Sequence, residues 1–199
     1  MNRLLLIILI IATNRLVSGD DPTRVPRNGL GLFALSPETY FLQLTSNFFN
    51  LLADFGNAKD NDTFLPLSTE LQKWLNDDAT MCISHYNVPL GCINGSTNLF
   101  SAFQYERQTR CFRKFVVTPV EFLEAPSLFS MYARLNFVEE YIPCNFNVIA
   151  PGTPITVYYF TSHFAYSRTG VSGGWKLDFI NLFLDGGMSL NNTKTPPSR

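Results

Sequence analysis

Phe41, Leu44, Phe48, Leu51 or Leu52, and Phe55 recur three and four residues apart, the spacing of one helix face, until Gly56 ends the run. Ser36-Pro37-Glu38 in front of them forms a helix start: a capping hydroxyl, a proline where its missing N–H costs nothing, and an acid at the positive end of the dipole. A second helical segment carries Phe64, Leu67, Leu71, Trp74 and Leu75, with Ser68 as its cap and Asn76-Asp77-Asp78 as its end. From Ala79 the period changes. Residues 79–85 predict a short strand, Asn87 to Gly91 a turn into Cys92-Ile93, and Ser96 or Thr97 the cap of a short helix through Leu99, Phe100 and Phe103. Four strand-like runs follow at 111–118, 128–138, 155–166 and 175–184, most of them separated by Gly, Pro or Ser. Helices first and an antiparallel sheet afterwards predict an α+β fold with the helices gathered on one face.

The two ends of the chain lack such periods. Arg3 followed by the apolar run Leu4 to Ala12 has the form of a secretory signal peptide, and the run is too short to span a bilayer, which takes about 20 residues. Val17-Ser18-Gly19 places cleavage after Gly19, so residues 1–19 are expected to be removed, leaving no membrane span. Residues 20–35 contain Pro22, Pro26, Gly29 and Gly31 and predict a flexible linker; 36–187 form one domain, and 188–199 a disordered tail. Export agrees with the four cysteines, Cys82, Cys92, Cys111 and Cys144. Four thiols permit three pairings. Cys82 and Cys92 flank the Asn87–Leu90 turn, and Cys111 and Cys144 flank a hairpin bent near Pro126, which favours those two bridges. A zinc site from Cys82, His85, Cys92 and Cys111 has no matching finger spacing, and no metal is expected. Asn61, Asn94 and Asn191 lie in N-x-S/T sequons, permitted glycosylation sites that chance alone also produces in a chain rich in Asn, Ser and Thr.

Composition narrows the class further. Of 199 residues 46% are hydrophobic, with 18 Phe and 8 Tyr, which excludes a disordered or collagen-like chain. A net charge of -1 leaves no basic field for nucleic acid. Arg107, Arg110, Arg113 and Lys114 form a local basic cluster of the kind that mostly covers a solvated face. Gly170-Val171-Ser172-Gly173-Gly174 matches the nucleophile elbow, but that chemistry needs a following helix and a later histidine; here a strand follows and the last histidine is His163. Glu139 and Glu140 are adjacent, so on a strand they face opposite ways and are no carboxylate pair. No motif asks for a cofactor.

Two N-terminal helices, a strand pair ending near Asp77-Asp78-Ala79, a glycine before a short helix, and four meandering strands, the last of them the closing strand Gly174-Trp175-Lys176-Leu177-Asp178-Phe179, resemble the nuclear transport factor 2-like superfamily. Secreted nematode members of unknown role look similar. The resemblance covers about residues 36–186 and implies a curved sheet wrapped round helices into an open cone. It also implies a choice between ketosteroid isomerase-like or dehydratase-like enzymes and non-enzymatic modules, since fold does not select function.

Strand alternation then predicts what the cone contains. Tyr158, Phe160, Ser162 and Tyr166 share one face of 155–166, and Trp175, Leu177, Phe179, Asn181 and Phe183 one face of 175–184. Aromatic-to-aromatic pairing opposes Phe160 to Asn181 and Phe164 to Leu177, and sends His163 with Asp178 to the outer face as a surface pair. Phe129, Met131, Ala133, Leu135 and Phe137 point inward from 128–138, so no carboxylate enters from these strands. His85 shares parity with Met81 and Ile83 and reaches the mouth. The leading expectation is a secreted, non-catalytic module whose apolar pocket, lined by His85, Tyr158, Phe160, Ser162, Tyr166, Phe179 and Asn181, binds a small hydrophobic ligand or a protein partner. The alternative is an isomerase- or dehydratase-like enzyme using His85 with Tyr158 or Tyr166. A third reading is a homodimer burying Tyr159, Ile180 and Leu182 of the outer face.

Overall fold

Helix α1 (Pro37–Asn57) opens where the cap predicts, with the Ser36 hydroxyl accepting from the Thr39 N–H at 3.3 Å. The computed structural model describes residues 36–86, 88–169 and 173–190. The leader, the linker, residues 170–172 of the glycine loop and the sequon at Asn191 lie outside these. One face of α1 is wholly buried, with Phe41, Phe48 and Phe55 at 0% exposure. Phe48 meets Trp74 and Phe103, and Phe49 meets Phe115, Phe137 and Phe164, at ring-centroid distances of 4.6–6.5 Å. Each such side chain gains about 1.5–3 kcal/mol from leaving water, so α1 is the pillar round which the sheet packs.

Helix α2 (Asn61–Lys73) is capped by Asp60, whose carboxylate accepts from Thr63 N–H at 2.8 Å; Ser68, the expected cap, lies inside the helix. It stops sooner than its apolar spacing suggests, and Leu75 already opens β1 (Leu75–His85), so Asn76 to Asp78 belong to that strand. β2 (Val88–Asn94) returns antiparallel to β1, and α3 (Ser96–Thr109) follows, longer than its apolar positions mark. β3 (Arg110–Val117), β4 (Phe122–Ser127), β5 (Ser130–Pro143), β6 (Ile155–Arg168) and β7 (Trp175–Leu190) follow within the described residues. β4 was not expected, because Glu121, Glu124 and Pro126 interrupt any alternation there. β7 runs three residues past the boundary drawn at 187.

The seven strands form one sheet in the order β2-β1-β7-β6-β5-β3, with β4 beside the first half of β5. β1 and β7 run parallel, so the sheet is mixed where the sequence pattern predicts an antiparallel one. The sheet curves round the helices and does not close into a barrel, and with the three helices of the described residues on one face the class is α+β. Cys82–Cys92 joins directly opposed residues of β1 and β2, and Cys111–Cys144 ties the start of β3 to the end of β5.

A bulge in β3 positions the chemistry described below. Phe112 has φ 53°, and the β3–β5 register slips between Cys111 and Lys114. An extra residue in a ladder leaves backbone groups without cross-strand partners. Asn57, the last residue of α1, supplies them: its side-chain amide donates to Arg113 C=O at 2.9 Å and its side-chain carbonyl accepts from Arg113 N–H at 2.9 Å. We therefore expect Asn57→Ala to destabilise the fold by about 1–3 kcal/mol. Urea denaturation would show this as a lower midpoint at unchanged slope, and an unmoved midpoint would mean that water replaces the amide.

Candidate ligand cavity

Between α1 and the concave face of the sheet lies a cavity of about 240 Å³. Phe48, Phe49 and Leu52 of α1 form one wall. Met81 and Ile83 of β1, Leu90 of β2 and Ile180, Leu182 and Leu184 of β7 form the aliphatic wall. Phe115, Phe137, Phe160 and Phe164 supply aromatic faces, with Phe137 and Phe160 stacked at 4.8 Å. Polar groups gather at one end: Glu106 of α3, Arg110 and Arg113 of β3, Glu139 of β5 and Tyr158 of β6.

Glu139 is the centre of that end, at 2% exposure. Arg110 Nη1 lies 2.8 Å from each carboxylate oxygen, and Arg113 Nε donates to Oε1 at 2.5 Å. Arg113 Nη2 also pairs with Glu106 Oε2 at 2.7 Å, and Arg110 Nη1 lies 3.5 Å from Glu106 Oε1. Burial pushes the Glu139 carboxyl up, but Arg113 and Arg110 outweigh it and hold the group below the ordinary carboxylate range. Burial disfavours the Arg110 charge, yet Glu106 and Glu139 hold the guanidinium more firmly protonated than usual. Arg110 also stacks over the Tyr141 ring at 4.9 Å. Burial raises the Tyr141 hydroxyl pKa, and the hydroxyl of Tyr158 beside it pushes the same way against Arg110. The Tyr158 ring lies across Gly187 on β7, where a Cβ would stand 2.5 Å from Cδ1. Gly187 is therefore what lets this tyrosine lie at the chamber wall.

Arg110 and Arg113 are three residues apart, which on a regular strand puts them on opposite faces. The β3 bulge supplies the odd residue that brings both to Glu139. The basic cluster thus divides: Arg107 donates to Ala58 C=O at 2.6 Å and stacks on Phe64, and Lys114 stays outside opposite Glu140. Glu139 corrects the expectation that no carboxylate points inward. The signal is in the sequence, because extending the alternation of Met131 to Phe137 adds Glu139 and Tyr141 to the same face; ending the strand at 138 hides them.

The other expected lining residues separate in the same way. Tyr158 and Phe160 line the cavity. Ser162 and Tyr166 share their face but are packed into the core. The Ser162 hydroxyl donates to Leu135 C=O at 2.8 Å. Tyr166 lies against Phe41 and Phe164; burial pushes its hydroxyl pKa up, while Thr45 pulls the other way. His85 continues the line of Met81 and Ile83 to the strand end, half-buried against Tyr86 and outside the lining. It therefore meets neither tyrosine of the expected catalytic pair within the chamber.

Phe179 and Asn181 fall on the outer face. β7 carries register slips against β6 near Asp178 and near Asp185, so Phe164 opposes Ile180 and Phe160 opposes Leu184, not Leu177 and Asn181. The slip at Asp178 turns Ile180 and Leu182 into the cavity, and neither is available to a dimer seam. His163 opposes Asn181 and packs edge-on against Phe183, while Asp178 accepts from Ser167 and Asn76, so the expected His163–Asp178 pair does not form.

Solved structures of similar form have been described. A protein assigned as a scytalone dehydratase from Novosphingobium aromaticivorans matches at TM-score 0.54 and 9% identity, over 80% of this chain and 93% of its own. The hexachlorocyclohexane dehydrochlorinase LinA-type3 from Novosphingobium barchaimii matches at 0.53 and 13%, over 80% and 99%. A protein from Xanthomonas campestris assigned as a calcium/calmodulin-dependent protein kinase II association domain matches at 0.53 and 10%, over 76% and 92%. No family model matches the chain and no curated protein matches its sequence. At these identities the likeness shows the fold, which is nuclear transport factor 2-like.

Breaking a buried ion pair from one side leaves the partner charge unpaired and costs about 3–5 kcal/mol. Glu139→Gln is expected to lose stability on that scale at pH 7. Because the native carboxyl has the depressed pKa, its stabilisation is full above the unfolded value, about pH 4.3, and is lost as pH falls through the native value. The gap between wild type and variant in chemical denaturation should therefore narrow below about pH 4. A gap that stayed constant down to pH 2 would show that packing, and not charge, is what the substitution removes.

Proposed function

We propose that the protein is an isomerase- or dehydratase-like enzyme acting on a compact, mainly apolar molecule held in the cavity. The observation that carries this reading is the polar end, where two carboxylates, two guanidiniums and the Tyr158 hydroxyl open onto an otherwise aromatic and aliphatic chamber. A shelter for hydrocarbon alone gains nothing from four desolvated charges, which are costly to bury. A dehydratase and a dehydrochlorinase among the proteins of like fold support the reading as analogy.

The four charges differ in freedom. Glu139 is held by both arginines and serves as their counter-ion. Glu106, 19% exposed and with one short contact at 2.7 Å, is the carboxylate left to accept a proton. In this scheme Glu106 takes a proton from carbon beside a substrate carbonyl, and the charge moves to the carbonyl oxygen, where Tyr158 and Arg110 face it. Return of the proton to a different carbon completes an isomerisation, and its departure with a substrate hydroxide, as water, completes a dehydration. Deuterium uptake into small enolisable ketones in D2O is the direct test. Glu106→Gln should slow it by about 100-fold or more, while Glu140→Gln on the outer strand face should leave it unchanged. Ketones that occupy the cavity but exchange no faster than in buffer would rule the enzyme out.

A non-catalytic module for a small hydrophobic ligand is the second reading. It is favoured by the absence of any histidine from the described cavity lining and by the hold of both arginines on Glu139, which lowers that carboxyl's pKa and weakens it as a base. Binding without exchange in the same experiment selects it.

We also propose that the chain is exported and cleaved after Gly19. The two disulfides fit an extracellular protein, and no described helix is long and apolar enough to cross a membrane. Asn61 and Asn94 are exposed and open to a glycan. Secretion from eukaryotic cells should give a product beginning at Asp20 whose mass falls on enzymatic removal of N-glycans. A product that stays in the cell with Met1 in place would end this proposal.

A further inference from the structure

We infer that the cavity selects electrically neutral molecules whose polar end is an acceptor oxygen, and discriminates against carboxylates and ammonium ions of the same shape. This rests on the reading of the cavity as a small-molecule site. Among the residues lining the chamber, the charged ones are Arg110 and Arg113 with Glu106 and Glu139. Their charges cancel, and each arginine is within 3.5 Å of both carboxylates or bonded to them. A ligand carboxylate would bring a fifth charge into this end with no unpaired cation to meet it and two carboxylates close by. A ligand ammonium would meet two guanidiniums in the same way. Either ion gives up its hydration in an otherwise apolar space.

A neutral oxygen meets a different situation. Arg110 makes all its short contacts to Glu139 and Glu106 through Nη1, which leaves its Nε and Nη2 donors for an acceptor at the chamber's polar end. Arg113 spends Nε on Glu139 and Nη2 on Glu106, so it is the structural member of the pair. The Tyr158 hydroxyl adds a second, uncharged donor at this end. The volume, about 240 Å³, limits the body of the ligand. An apolar cavity of about 150 Å³ holds benzene, so one substituted ring fits and a long acyl chain does not.

The test compares acetophenone, benzoate and benzylamine, three probes of one size and three charges, by isothermal titration and by shifts of the Met81 methyl resonance at pH 7. Acetophenone should bind at least about 10-fold more tightly than either ion. Glu106→Gln leaves the cluster with a surplus positive charge and should raise benzoate relative to acetophenone by about 10-fold or more; Arg113→Gln should favour benzylamine correspondingly. Should either variant fail to fold, as a thermal melt will show, the wild-type order still decides. Benzoate or benzylamine matching acetophenone on the wild type overturns this inference and leaves the small-molecule site standing. An unmoved Met81 resonance with all three probes overturns the site itself.

Discussion

The Glu139 carboxylate is the constraint to which the rest of this structure answers. At 2% exposure it cannot stay ionised without partners, and one guanidinium satisfies only part of its capacity to accept hydrogen bonds. Arg110 and Arg113, three residues apart on one strand, can converge on it only because that strand carries an extra residue. The extra residue strands the backbone of Arg113, and Asn57 at the end of α1 takes up both of its groups. Arg113 in turn needs Glu106, which fixes the last turns of α3 against β3. A single buried charge thus ties α1, α3, β3 and β5 together, beside the Cys111–Cys144 bridge that joins the same two strands.

The aliphatic wall is set by a second irregularity of the same kind. β7 alternates regularly from Trp175 to Leu177, slips at Asp178, and resumes with the opposite parity, so that Ile180, Leu182 and Leu184 face inward. Asp178 is suited to the slip because its carboxylate is taken up by Ser167 and Asn76, at the point where β1 also breaks register with β7. Polar residues that interrupt an apolar alternation therefore mark the positions where this sheet changes what it shows to the interior.

This explains what could and could not be read from the chain. α1 was legible to its cap, because Ser36-Pro37-Glu38 and the Phe41–Phe55 spacing are local signals. The inward face of β6 was legible too, since its own alternation from Tyr158 to Tyr166 is unbroken. Phe179 and Asn181 were misplaced because register depends on a bulge, and a bulge is a property of two strands. The parallel pairing of β1 with β7 was hidden for the same reason, being set between segments nearly a hundred residues apart. The charge cluster was half visible: a run of basic residues mostly marks a solvated face, regular alternation would part Arg110 from Arg113, and a strand ending at 138 leaves Glu139 outside the inward series.

Stability alone does not account for such a cluster. Well-packed apolar side chains of similar volume commonly replace a buried ion network with no loss, and sometimes with a gain. Here the network stands at the edge of an apolar chamber, so each of its charges acts across a medium that screens poorly. The same low screening that makes Glu139 costly to bury would strengthen the pull of Arg110 and Tyr158 on the oxygen of the proposed substrate. Fold and chemistry draw on one arrangement: the bulge that completes the clamp on Glu139 is also what turns a guanidinium toward the chamber. A change in β3 that relaxed the bulge would therefore be felt at both places, in the hold of Asn57 on the strand and in the charges that line the cavity.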